Sequence, residues 1–240
     1  QIIQAATFFS LRNSGHLVYA DLSYFDVESK MASPGNAGQL THWFWQLDQL
    51  GLPKSSFEQI GDNPGRVITL RDGPKMMELG LEALSTPEVQ LMFGGCDEII
   101  RDLDEELHDN FICIHIRRGD YVNVASHLIS DLEFVQLLGK FSGLVKHAVF
   151  LSDSPISENF RDQVNPLFKS SFFMDNIDPY SSHRIMRKAR ILICSNSTFS
   201  LTAAMLNPKA LVIIPKKWFS EKDYAIEVPI HARSTFQIMG

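Results

Sequence analysis

Five short apolar runs in the second half of the chain, each closing on a polar cluster, constrain the fold more than any other feature. They span residues 111–116, 147–151, 171–174, 191–194 and 210–214. Each has strand length and is rich in β-branched or aromatic residues. None alternates apolar with polar, which is the pattern of strands buried on both faces. Stretches of helical character lie between them, at 130–144, 155–165, 181–190 and 198–206. Strand and helix in alternation predict an α/β fold with a doubly wound parallel sheet.

The first half is more broken. Residues 1–13 read as a helix, 17–19 as a short strand leading into Asp21, and 40–50 as an aromatic amphipathic helix ending at Gly51. Residues 66–70 read as a strand and 97–109 as an acidic helix, while Pro34, Gly35, Pro53, Pro64, Gly65 and Pro74 mark loops. A boundary near residues 108–110 divides the chain into two α/β domains, 1–108 and 109–240.

Charge and cysteine usage narrow the function. The chain has 22 Lys and Arg against 28 Asp and Glu, a net charge of −6. That argues against a nucleic-acid partner, since phosphate backbones select a cationic surplus. No apolar run approaches the ~18 to 20 residues of a membrane span. The chain opens on Gln1 and carries no signal-peptide pattern. Cys96, Cys113 and Cys194 form no CxxC pair and two lie inside apolar runs, so reduced thiols in a cytoplasmic setting are expected. GxSxG, Walker A, GxGxxG and zinc-spaced clusters are all absent from the sequence.

Ligands of open parallel sheets bind at the carboxyl ends of the strands. The residues just beyond each run are therefore the inventory of a site: Arg117, Arg118, Gly119 and Asp120; Ser152, Asp153 and Ser154; Asp175 and Asn176; Ser195, Asn196, Ser197 and Thr198; Lys216 and Lys217. Two adjacent arginines at a strand end are costly unless they meet water or an anion, and guanidinium matches phosphate oxygens bidentately. Asp120 is placed to orient one of them. Ser195 to Ser200 precedes an Ala-rich helix, whose amino end favours an anion. A surface ion pair and a plain helix cap are the simpler readings of these two segments.

Other segments leave their alternatives open. Asp102 and Asp104 form a D-x-D, a metal–nucleotide pattern, inside an acidic run that otherwise reads as a solvated helix face. Trp43, Phe44 and Trp45 could stack on a sugar, although helical spacing sends at least one to the core. Lys216 to Phe219 could close over a nucleotide or form an amphipathic edge with snorkelling lysines. His127 and His183 read as surface or core residues.

Four motifs in order carry a resemblance. His-Ile-Arg-Arg-Gly-Asp-Tyr-Val at 115–122, Asn-Ser-Thr-Phe-Ser at 196–200 with Ala203 and Ala204 after it, and Pro-Lys-Lys-Trp-Phe at 215–219 resemble the bacterial alpha-1,2-fucosyltransferases. Phe150 to Ser154 is similar to that family's Phe-Ser-Asp segment. The opening 1–6 resembles the tail of its Gly-x-Gly-Asn-Gln motif, with Asp21 to Phe25 after it as expected. The sequence departs from the family where two Trp are common, at Leu201 and Thr202, and where an acid is frequent, at Ser182 and His183.

The resemblance implies an inverting, metal-independent transferase of GT-B architecture, with two Rossmann-like domains and GDP-fucose on the C-terminal one. Arg117 would bind the β-phosphate and assist departure of GDP, with Arg118 in support and Asp120 holding the pair. Ser152, Asp153, Asn196, Ser197, Thr198, Phe199 and Lys217 would complete the donor site. The 2-hydroxyl of a galactoside would be the acceptor, met by Gln4 and Asp21 of the first domain. Asp21, Asp120 and His115 are candidate bases for that hydroxyl. No cofactor or metal is implied. Bacterial surface-glycan synthesis such as O-antigen assembly, in the cytoplasm and peripheral to the inner membrane, would be the setting. Another GDP-sugar, or a silent nucleotide- or glycan-binding module, are the alternatives.

Overall fold

The computed structural model describes residues 1–22, 45–59, 73–94, 107, 110–123, 128–175, 177–215 and 236–239. The chain divides into two compact units, Gln1–Gly95 and Cys96–Gly240. This division falls ahead of the expected one at 108/109, so the acidic segment counts with the second unit.

The second unit is built on a six-stranded sheet, β1 (Phe111–Ile116), β2 (His147–Ser152), β3 (Ser170–Asp175), β4 (Ile191–Ile193), β5 (Leu211–Pro215) and β6 (Phe236–Met239). The strands lie in the order β3-β2-β1-β4-β5-β6 and every pairing is parallel. The α/β expectation holds here, and all five apolar runs are strands. β6 has no counterpart among them.

Burial explains why the runs are continuously apolar. Ile112, Ile114 and Ile116 of β1 pack one face of the sheet with Ala148, Phe150, Ile191, Ile193 and Ile213. Two helices cover that face, α4 (Asp131–Gly139) through Phe134 and Leu138, and α5 (Glu158–Val164) through Phe160 and Val164. Alternate residues of β1, Cys113 and His115, turn to the other face. There α6 (Pro179–Lys188) and α7 (Thr198–Met205) pack on each other. Both faces of the middle strands are thus dry.

Helix ends obey local chemistry. α4 opens with a capping box, in which Glu133 N–H donates to Ser130 Oγ and Ser130 N–H donates to Glu133 Oε2. It stops at Gly139, short of the expected 144, and Ser142 Oγ donates back to the Gly139 carbonyl. α5 starts at its Ser157 cap rather than at 155. α6 starts two residues before the expected 181. Asp178 caps it by accepting from Tyr180 and Ser181 N–H, and Pro179 takes the first helical position.

The described part of the first unit is helical: α1 (Ile2–Asn13), α2 (Gly73–Leu84) and α3 (Pro87–Gln90). α1 meets the expectation. α2 crosses α1 so closely at Gly80 that a Cβ there would lie 2.5 Å from the Ile3 carbonyl oxygen. Pro74, expected in a loop, sits in the first turn of α2, where its missing N–H costs nothing. Residues 17–19 form no strand. Leu17 is 77% exposed, and the ladder contact beside it, among the described residues, is a single parallel bridge between Ala20 and Gln59. The expected helix at 40–50 is, over its described residues, a 3-10 turn at Asp48–Leu50 closing on Gly51 with φ +79°. Trp45 packs edge-on against Phe57 and its Nε1–H donates to the Leu52 carbonyl, a core role. Trp43, Phe44, the expected strand at 66–70, and Asp102 and Asp104 lie outside the described residues. No helix among the described residues is long and apolar enough to cross a membrane.

Candidate functional site

Strand order selects the site. From β1 the chain winds outward to β2 and β3, and from β4 it winds the other way to β5 and β6. Winding reverses between β1 and β4, the switch point at whose carboxyl strand ends open parallel sheets form their ligand crevice. β1 delivers Arg117 and Arg118 to this point. β4 delivers Ser195, Asn196 and Ser197 and then the amino end of α7. The two segments with the strongest anion chemistry in the sequence are therefore neighbours in space.

A side-chain bond ties them. His115 Nδ1 lies 2.8 Å from Ser195 Oγ, and its ring centroid is 5.6 Å from that of Phe199. His115 is 5% exposed. Burial pushes its pKa down to about 4, with Asp153 raising it and Arg117 lowering it further. It is neutral at physiological pH and enclosed beneath the crevice. The turn above it is closed by its own groups: Ser197 N–H donates to the Ser195 carbonyl, Ser200 Oγ to the Ser195 and Ser197 carbonyls, and Phe199 N–H to Ser197 Oγ. Asn196 and Ser197 are buried, Thr198 and Phe199 half-buried.

Parallel register brings in β2. Ile116 pairs with Ser152, so the next residues, Arg117 and Asp153, stand side by side. Arg117 Nη1 meets Asp153 Oδ2 at 2.9 Å. The same carboxylate accepts from the backbone N–H of Arg118 (2.8 Å) and of Gly119 (3.2 Å). A Cβ on Gly119 would lie 2.7 Å from Asp153 Oδ2, so any side chain there would displace that carboxylate. The Arg117 guanidinium lies 5.4 Å from the centroid of the Tyr121 ring and its side chain is 34% exposed. Ser152 is buried, and its Oγ accepts from Ser154 N–H.

Arg118 turns away from its neighbour. Its guanidinium pairs with Asp131, donates to the Ile129 carbonyl, and lies 5.9 Å from the Phe134 ring centroid. The side chain of Asp120, and Lys217 altogether, lie outside the described residues; among the described residues an acid paired with Arg117 is Asp153. Gln4 on α1 and Asp21 are exposed in the first unit. Sequence reasoning missed Asp131, and it named Ser195 and Thr202 without the histidine partners that the structure gives them. His183, 2% exposed, has its Nε2 3.3 Å from Thr202 Oγ1, and that hydroxyl donates to the Phe199 carbonyl. The hydroxyl proton is thus spent, so His183 donates from Nε2. Burial first, then Arg187 and His115, push its pKa down to about 3. No cluster of metal-ligating side chains occurs among the described residues.

Solved structures of other proteins resemble parts of this framework. The structure of POFUT1 in complex with GDP is 17% identical over 54% of this chain and 48% of that one, with a TM-score of 0.43. The E. coli heptosyltransferase WaaC with ADP-2-deoxy-2-fluoro heptose is 9% identical over 73% and 52%, with a TM-score of 0.40. The chain thus spans about half the length of each of these structures. No curated protein matches the chain. Residues 91–230, which hold the whole β1–β5 framework and its crevice, match glycosyl transferase family 11, and the chain belongs to that family.

Proposed function

We propose that the chain transfers L-fucose from GDP-fucose to the 2-hydroxyl of a galactoside, with inversion and without a metal. The observation that carries the reading is the His115–Ser195 bond, which joins the strand end that bears Arg117 to the segment that leads into α7, in a chain of this family. Fucosyl transfer develops negative charge on the departing diphosphate. A fixed guanidinium and a helix amino end stabilise that charge where it grows, and losing one such donor costs about 10²- to 10³-fold in rate. Asp153 holds Arg117 in place, Ser197 and Thr198 present the helix end, and Asn196 and Phe199 complete the donor side. His115, neutral and bonded to Ser195, supports the turn from below. Asp21 and Asp120 remain the candidate bases and Gln4 an acceptor contact. The donor domain would be one half of a GT-B enzyme acting in surface-glycan synthesis.

A second GDP-sugar is the alternative that one observation favours. The two departures from the family pattern, at 182–183 and 201–202, meet in the His183–Thr202 hydrogen bond beside Phe199. Incubation with GDP-fucose, GDP-mannose and a galactoside, reading GDP release, separates the readings. Release from GDP-fucose alone supports the proposal, release from GDP-mannose alone moves it to the other sugar, and no release from either overturns it. Arg117→Ala is expected to abolish release while leaving the melting temperature near wild type.

A further inference from the structure

Adjacent arginines at a strand end invite one reading for both, as a paired phosphate clamp. Their surroundings are different. Arg117 lies over the crevice and shares Asp153 with two backbone N–H groups. Arg118 is only 17% exposed, and its charge is met by Asp131 in the first turn of α4. A guanidinium has five donors in a fixed plane. In Arg118, Nη2 donates to the Asp131 carboxylate and Nη1 to the Ile129 carbonyl, with Phe134 beneath. Swinging it toward a ligand would strip both acceptors and uncover the ring.

We infer that Arg118 is a positioning residue: it clamps the carboxyl end of β1 to the amino end of α4, and so fixes the backbone from which Arg117 is aimed. This rests on the donor-site reading proposed above. Three features support it. The capping box of α4 is complete with Ser130 and Glu133, which leaves the Asp131 carboxylate to Arg118. The side chain of Arg118 spans both ends of the excursion from 119 to 131. Its backbone N–H donates to Asp153 Oδ1 while Asp153 Oδ2 takes Arg117 Nη1, so a shift at position 118 is passed to the catalytic guanidinium through one carboxylate.

A double-mutant cycle on the full chain tests the clamp, with Arg118→Ala, Asp131→Ala, the double variant, and Arg118→Lys. The readouts are GDP affinity by calorimetry, GDP release from GDP-fucose, and the melting temperature. Arg118→Ala and Asp131→Ala are each expected to slow release on the order of tenfold, a misaiming effect, with GDP affinity within about threefold of wild type. The double variant should be no slower than either single, because coupled residues are non-additive. Arg118→Lys, which still reaches Asp131, should recover part of the rate. A role in stability alone would lower the melting temperature without that split between rate and affinity. Loss of GDP affinity in Arg118→Ala, with Asp131→Ala unchanged in rate and affinity, overturns the clamp. If wild type binds no GDP, the donor reading fails separately. Coupling of 118 and 131 in the melting temperature then decides the clamp, non-additive shifts supporting it and additive ones overturning it.

Discussion

Gly119→Ala is the sharpest probe of the site. The new methyl group would sit 2.7 Å from Asp153 Oδ2, where ordinary contact begins at 3.4 Å, so the carboxylate must withdraw by more than half an ångström. The atom that yields is the tip of a side chain, so the fold has an easy escape. The Arg117–Asp153 pair is partly solvated, and such pairs are worth about 0 to 1 kcal/mol, a melting-temperature loss that does not exceed roughly 2 to 4 °C in a chain of this size. Catalysis has no such escape. The withdrawing carboxylate carries Arg117 with it, and a displacement of about 1 Å in a charge-stabilising group costs roughly 10²-fold. The assay is GDP release from GDP-fucose, with a thermal melt alongside. A stable protein slowed about a hundredfold is expected. Wild-type turnover in Gly119→Ala would refute the idea that Asp153 aims Arg117, and a loss tracking unfolding would refute the separation of aim from stability.

Other parts of the molecule carry their own expected outcomes. Activity should persist in EDTA, and strong loss there would return attention to Asp102 and Asp104. Stability should fall on acidification: His115 and His183 are held neutral with pKa values of about 4 and 3, below their unfolded value near 6.5, so the unfolded chain binds more protons as pH drops. The loss begins below about pH 6.5, reaches roughly 2 kcal/mol per group at pH 5, and is absent above pH 7.5. A melting temperature that stays flat between pH 7 and 5 would contradict the burial of both rings. Gly80→Ala should destabilise the first unit by about 1 to 3 kcal/mol, because its Cβ would press on the Ile3 backbone and force α1 and α2 apart. Hydrogen exchange across α1 would register it, and unchanged protection would count against the close crossing.

The framework of the second unit was legible because its strands are buried on both faces, which writes burial into the sequence as unbroken apolar runs. The first unit was less legible. Its α2 opens on Gly73 and Pro74, residues that signal loops yet suit a helix's first turn, and its 17–19 segment has strand composition without a neighbouring strand, among the described residues, to pair with. Within the site, the residue types at the strand ends pointed to an anion, but their partners depend on register. Asp153 faces Arg117 only because Ile116 pairs with Ser152, and Ser195 reaches His115 only because β4 lies beside β1. Asp120 was named as an orienting acid because it is near in sequence, and its side chain lies outside the described residues. Asp153, from the adjacent strand, could be found only from the register.

The link between His115 and Ser195 joins residues 80 positions apart. Between them lie β2, β3 and the helices that lead back to the centre of the sheet. Closing so long a loop carries an entropic cost that is recovered only when β4 slots in against β1. The β1–β4 switch point therefore exists only once β4 has paired with β1. A nascent chain lacking β4 and α7 has the arginines without the opposing wall.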